Sequence, residues 1–214
     1  MIRSQYIFNP NVSLTETKTE ELRDSLEQKL KKVDGVESSW IVPVEIDILP
    51  DPIKKKARLK RIVTTDLGDN ADMSEFYARF QAWIVEELMK YREGDPVYFI
   101  HRNPISDKVR RDALFNWKKD APPDDVVDIV SSLRDVRAPT GFEGTKSAQI
   151  STLERDLVSR YFAENTPYSR ILTFGFDRRE DALTFNKHGS HTDWGDRFKR
   201  LRDDDNLFVP YITR

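Results

Sequence analysis

The sequence predicts an α+β protein, with mixed, mainly antiparallel sheet or sheets packed against about five to six amphipathic helices. Three observations carry that expectation. Some stretches place apolar residues at steps of three and four, others are β-branched or aromatic runs bounded by Pro, Gly, Asn or Asp, and the two kinds alternate too irregularly for a doubly wound parallel sheet.

In chain order, residues 5–8 read as a strand. Thr17 and Glu20 have capping-box spacing ahead of Leu22, Leu26, Leu30 and Val33, which predicts a helix covered on one narrow side. Residues 40–49 and 53–63 read as strands. Over 72–91, Phe76, Phe80, Trp83, Ile84, Leu88 and Tyr91 form a broad apolar face with Gly94 and Pro96 beyond it, the pattern of a central helix. A strand at 97–101 follows. Ser106 then caps an expected helix running through Trp117, and Pro122, Pro123, Asp124 and Asp125 open another that presents Val126, Val130, Leu133 and Val136. Over 146–163, Ile150, Leu153, Leu157, Val158, Tyr161 and Phe162 predict a further helix, before strands at 171–176 and 207–212. The sequence shows no internal repeat. One domain is expected for residues 1–214, with any internal boundary in the turn-rich stretch 137–145, which holds Pro139, Gly141 and Gly144.

Composition narrows the function classes. The 35 basic and 37 acidic side chains leave a net charge of −2, so no global field holds nucleic acid or an anionic membrane. Cysteine is absent, which excludes disulfides, thiolate nucleophiles and Cys-ligated zinc or iron–sulfur centres. No apolar run approaches the length of a membrane span, so the expected location is the cytoplasm, or a particle assembled there.

Glu45 and Asp47 alternate with Val44, Ile46 and Ile48, so on a strand both carboxylates share one face and could hold Mg²⁺ for phosphoryl or nucleotidyl transfer. With Gly35 upstream, residues 20–49 are similar to the first acidic motif of the nucleotidyltransferase superfamily, which would imply a metal-dependent enzyme. Here Gly35 is followed by Val36, where that family has a Gly-Ser dipeptide. The run 140–147, with Gly141, Gly144 and Lys146, resembles a phosphate-binding loop, but two residues separate its glycines where the Walker pattern has four. His188-Gly189-Ser190 resembles one tripeptide of the 2H phosphoesterases; the second tripeptide is missing, since His101-Arg102-Asn103 ends in Asn. His188, His191 and Asp193 have residue types that ligate metals, in a segment rich in turn formers.

The most biased segment is 54–61. On a strand, Lys54, Lys56, Arg58 and Lys60 share one face, suited to phosphates or a partner, or to protecting a sheet edge. Asp203, Asp204 and Asp205 could meet such a face on a neighbouring subunit.

No constellation completes a catalytic, metal or cofactor site, so none is expected, and the reading leans away from an enzyme. The expectation is a non-enzymatic structural or adaptor subunit whose partners are other protein subunits or further copies of itself, with a virion or phage-tail component as the guess. The leading helix, Val33-Asp34-Gly35-Val36 and the extended segment after it are loosely similar to tail-completion proteins of tailed phages. The alternatives are a metal-dependent phosphodiester or nucleotidyl enzyme using Glu45 and Asp47, and a nucleic-acid-binding module using the basic run.

Overall fold

The computed structural model describes residues 1–133, 144–185 and 187–213, the side chains of Pro52 and Ser190 excepted. Its contacts divide the chain into two units. Unit 1 is Met1–Pro43, Leu59–Pro104 and Leu153–Pro167; unit 2 is Val44–Arg58, Ile105–Thr152 and Tyr168–Arg214. Of the turn-rich stretch 137–145, all but Gly144 and Thr145 lie outside the described residues.

Unit 1 runs β1 (Ile2–Pro10), α1 (Glu16–Leu30), β2 (Val36–Pro43), β3 (Arg61–Leu67), α3 (Met73–Trp83) and β4 (Arg92–Arg102), the label α2 belonging to Asp51–Lys54 of unit 2. Its four strands lie in the order β2-β3-β1-β4, every neighbouring pair antiparallel. Alternate residues Ile2, Tyr6 and Phe8 of β1 enter a core with Leu22, Leu26 and Leu30 of α1 and Phe76, Phe80 and Trp83 of α3. Both helices behave as their periodicity requires, although the cap of α1 is Thr15, two residues earlier than expected, its side chain accepting from the Lys18 N–H. Asp72 caps α3, whose helical course continues as a wider π turn, Ile84–Leu88, and a 3-10 turn, Met89–Tyr91.

Unit 2 repeats that plan. Its elements are β5 (Val109–Phe115), α4 (Pro123–Ser131), β6 (Thr145–Thr152), β7 (Arg170–Phe176), α5 (Arg179–Phe185), α6 (Gly189–Leu201) and β8 (Leu207–Ile212), with strand order β6-β7-β5-β8, again antiparallel throughout. Each sheet thus has the βαββαβ order of a ferredoxin-like motif, and the α+β expectation holds. The repeat invisible in the sequence is present in the topology. Between β2 and β3 the chain passes into unit 2, and between β6 and β7 it passes into unit 1.

Several elements differ from expectation for identifiable reasons. The segment from Ser106 to Trp117 is strand β5, and all seven of its residues are buried, so both faces are covered and no polar–apolar alternation marks it. Over 146–163 the helical spacing is coincidental: the chain forms β6 and then 3-10 turns at Arg155–Leu157 and Ala163–Asn165, with Phe162 in the core of unit 1. The expected strand 40–49 stops at Pro43, and Ile46–Ile48 is a 3-10 turn. The basic run is not a strand: Lys54 ends the short helix α2, and strand β3 begins only at Arg61. Of the face expected for α4, Leu133 just beyond the helix is buried and Val126 is half-buried, but Val130 is exposed and Ile129 takes the buried place within the helix; Val136 lies outside the described residues.

Candidate active site

Unit 2 contains a pocket of about 450 Å³. One wall is α6, where His191, Trp194, Gly195, Phe198 and Lys199 recur at helical spacing and Arg202 follows at the end of the helix. The floor is the sheet: Arg111 on β5, Leu172 and Phe174 on β7 and Phe208 on β8, with Arg111 directly opposite Phe174 in register. Pro50, Ile53 and Lys56, from the segment between β2 and β3, form the third side. The Phe208 N–H donates to the Lys56 carbonyl at 3.3 Å and the Glu45 N–H to the Pro210 carbonyl at 2.7 Å, so β8 holds that segment in place. Trp194 anchors α6 by donating from Nε1 to the Ile129 carbonyl of α4 at 3.2 Å, and Arg197 pairs with Asp128 between the same helices.

The walls are aromatic. Trp194 stacks on Phe198 at 4.9 Å between ring centres, with their planes 17° apart, and Phe174 meets Trp194 edge-on at 6.1 Å. Within this apolar setting lies Arg111, 4 % exposed, its guanidinium carbon 5.8 Å from the ring centres of Phe174 and Phe208 and 5.9 Å from that of Phe185. Burial draws its pKa down to about 10, so it is still a cation at neutral pH. The Arg111 Nη2 lies 3.3 Å from His191 Nε2, and the imidazole also packs 4.2 Å from Phe185. Burial, then the charges of Arg111, Lys199 and His188, push the His191 pKa down to about 3, so its ring is neutral and Nε2 can accept from Arg111. At the mouth, Lys56 donates to the Asp204 carbonyl at 3.1 Å; burial and the neighbouring Arg202 lower its pKa.

Of the residues singled out in the sequence, the structure brings His191 and Lys56 to this pocket. His188 is the residue ahead of α6 and does not line it. Lys54 pairs with Asp51 at 3.0 Å, Arg58 pairs with Asp205 at 3.0 Å within the same chain, and Lys60 is exposed. Glu45 is half-buried and Asp47 exposed on a turn, not side by side on a strand, and no cluster of three His, Asp or Glu side chains that could hold a metal exists among the described residues. Sequence reading missed Arg111, Phe174, Phe208, Trp194 and Phe198. The signal available for the helical ones was the three- and four-residue spacing from His191 to Phe198.

The fold and pocket define the class: a chain of two ferredoxin-like units with a cavity of about 450 Å³ in the second. No protein-family model and no curated protein sequence matches it. Solved structures do. An anthrone oxidase-like protein aligns over 100 % of this chain and 91 % of its own length, at 10 % identity and a TM-score of 0.61. A presumptive monooxygenase from Fusobacterium nucleatum aligns over 99 % and 91 %, at 12 % identity and 0.55. A variant chlorite dismutase from Candidatus Nitrospira defluvii aligns over 99 % and 92 %, at 9 % identity and 0.56. At such identities the likeness is one of fold, and this fold is populated by proteins bearing enzyme names. The expectation of a non-enzymatic structural or adaptor subunit, with its virion or phage-tail guess, is corrected on that finding. Among the described residues no helix is long and apolar enough to cross a membrane.

Proposed function

We propose that this chain is an enzyme of the oxidoreductase kind, with its reaction centred in the unit 2 pocket on a small organic molecule. The observation that carries the reading is the pocket itself: aromatic walls enclosing about 450 Å³, with Arg111, His191 and Lys56 converging on it. An apolar cavity with few polar groups is the usual form of a small-molecule site, and exclusion of water strengthens every charge inside. The proteins of similar fold carry the names oxidase-like, monooxygenase and dismutase, which favours oxidation over hydrolysis or transfer. A hydroxyarene or anthrone-type substrate fits the aromatic walls, with dioxygen as the oxidant.

Oxygen uptake with anthrone and with hydroxynaphthalenes tests this, comparing the wild type with Gly195→Trp. A Cβ at Gly195 meets no atom within 4 Å, so an indole there fills the pocket while leaving the helix intact. Substrate-dependent uptake that the variant loses is the expected result. Uptake unaffected by Gly195→Trp, or no uptake with any such substrate, overturns the proposal.

A further inference from the structure

We infer that Gly195 is the specificity-determining residue of the unit 2 pocket, and that the space left by its missing side chain admits a fused three-ring aromatic substrate that a larger residue would exclude. The inference rests on the reading of this pocket as the active site and names the size class of its substrate.

Gly195 stands at the midpoint of α6, where glycine is a poor choice for helix stability. The two ordinary structural reasons for a glycine are absent. The backbone does not require one, because among the described residues the glycines with positive φ are Gly35 and Gly94. Close packing does not require one either, since a Cβ at Gly195 meets no neighbouring atom within 4 Å. Gly35, by contrast, has a φ of +82°, and a Cβ there would lie 2.6 Å from the Ala71 Cα. What Gly195 does provide is room in the pocket. Residues three and four positions away on either side are the surface neighbours of a helical residue, and for Gly195 these are His191, Thr192, Phe198 and Lys199. All four line the pocket, so Gly195 occupies the centre of the wall that α6 presents, and a side chain added there projects into the cavity.

The floor has a corresponding feature. Leu172 on β7, Ala113 on β5 and Phe208 on β8 are directly opposite one another in register, so their side chains share one face and the smallest stands in the middle. Leu172 and Phe208, on either side of Ala113, both line the pocket. A wall without its central side chain and a floor lowered at its centre leave a slot between aromatic rings, Phe174 and Phe208 from the sheet and Trp194 and Phe198 from the helix. Flat fused rings gain contact against such surfaces without needing a polar partner for every face. A single ring leaves part of the slot uncovered, and each further fused ring removes more apolar area from water.

The test is equilibrium dialysis under argon, so that no oxidation competes, with phenol, 2-naphthol and 2-hydroxyanthracene, which differ in ring number alone. The proteins are wild type, Gly195→Ala and Gly195→Leu, with circular dichroism reporting the fold. Wild type is expected to bind the three-ring ligand most tightly and phenol least. Gly195→Leu should weaken 2-hydroxyanthracene about 10-fold or more, the scale of overfilling a packed apolar site, and change phenol by less than about 2-fold. Gly195→Ala should give the same order of losses at smaller size, and it decides the matter if Gly195→Leu does not fold. Equal fractional losses for the three ligands, an unchanged affinity for 2-hydroxyanthracene in the folded variants, or no binding of any ligand to wild type overturns the inference. The oxidase reading falls separately. Binding with the expected pattern but no oxygen uptake with any substrate removes that reading and keeps the size selection, whereas uptake that persists alongside equal losses removes the size selection and keeps the oxidase.

Discussion

Arg111 on an inner strand of unit 2 and His191 on α6 meet at 3.3 Å, a buried cation held by a half-buried neutral imidazole. The contact depends on the imidazole staying unprotonated, because two cations at that distance in an apolar setting repel strongly. That dependence makes the pair a reporter of pH.

The folded pKa of His191, about 3, lies below its ordinary value of 6.5. Between those values the unfolded chain binds a proton that the native chain does not, so the group destabilises the fold as pH falls from about 6.5 toward 3 and leaves it unaffected above that window. Urea denaturation at pH 7 and pH 5 should show wild type losing about 1–2 kcal/mol more than His191→Gln over that step. Equal losses in the two proteins would mean that the ring is not held neutral.

Gly195 stands inside α6 with open space where a Cβ would be. Helical glycine leaves the unfolded chain extra freedom, so Gly195→Ala should raise stability by about 0.5–1 kcal/mol. A fall in the midpoint of denaturation would show that the methyl meets a wall.

In unit 1, Phe80 is 1 % exposed and stacks on Phe76 at 5.3 Å and Trp83 at 6.0 Å. Phe80→Ala should cost about 3–5 kcal/mol, through lost burial and the cavity left behind. Chemical denaturation reads this directly, and a loss below about 1 kcal/mol would contradict the packing.

Arg3 on β1 donates from Nε and Nη2 to the two carboxylate oxygens of Asp66 on β3, at 2.5 and 2.7 Å, with Trp40 5.3 Å from the guanidinium carbon. Removing one partner of a buried pair strands the other charge, so Asp66→Ala should cost about 3–5 kcal/mol. Arg3→Met/Asp66→Leu should cost clearly less than the sum of the single changes. A double-mutant cycle measures the coupling, and additive losses would mean that the two charges act independently.

The legible parts of the sequence were those where one face is buried and the other is wet. Leu22, Leu26 and Leu30, and Phe76, Phe80 and Trp83, keep their helical spacing because α1 and α3 each cover one side of a sheet. Strand β5 was illegible for the opposite reason. Val109, Ala113 and Phe115 are buried on one face and Arg110, Asp112 and Leu114 on the other, with Arg110 donating to the Ile105 carbonyl at 2.7 Å. Buried polar residues with local partners erase the alternation that marks a strand, and Arg111 was hidden among them.

The candidate site was legible only in fragments. Lys56 stood out as one of a basic run, yet its neighbours Lys54 and Arg58 pair with Asp51 and Asp205, and Lys56 alone lines the pocket. His191 drew attention beside His188 as a possible ligand, whereas its actual neighbour is Arg111, 80 positions earlier in the chain.

By itself the sequence determined the α+β class, the cores of α1 and α3, and the absence of cysteine chemistry, because local periodicity and composition are properties of neighbouring residues. Only the tertiary structure decided the doubled βαββαβ topology and the pocket. Strand order is set by pairings such as Val109 with Phe176 and Val109 with Ile212, which join residues far apart in the chain. A pocket lined by Ile53, Arg111, Phe174 and Trp194 comes into being only when those pairings bring its walls together.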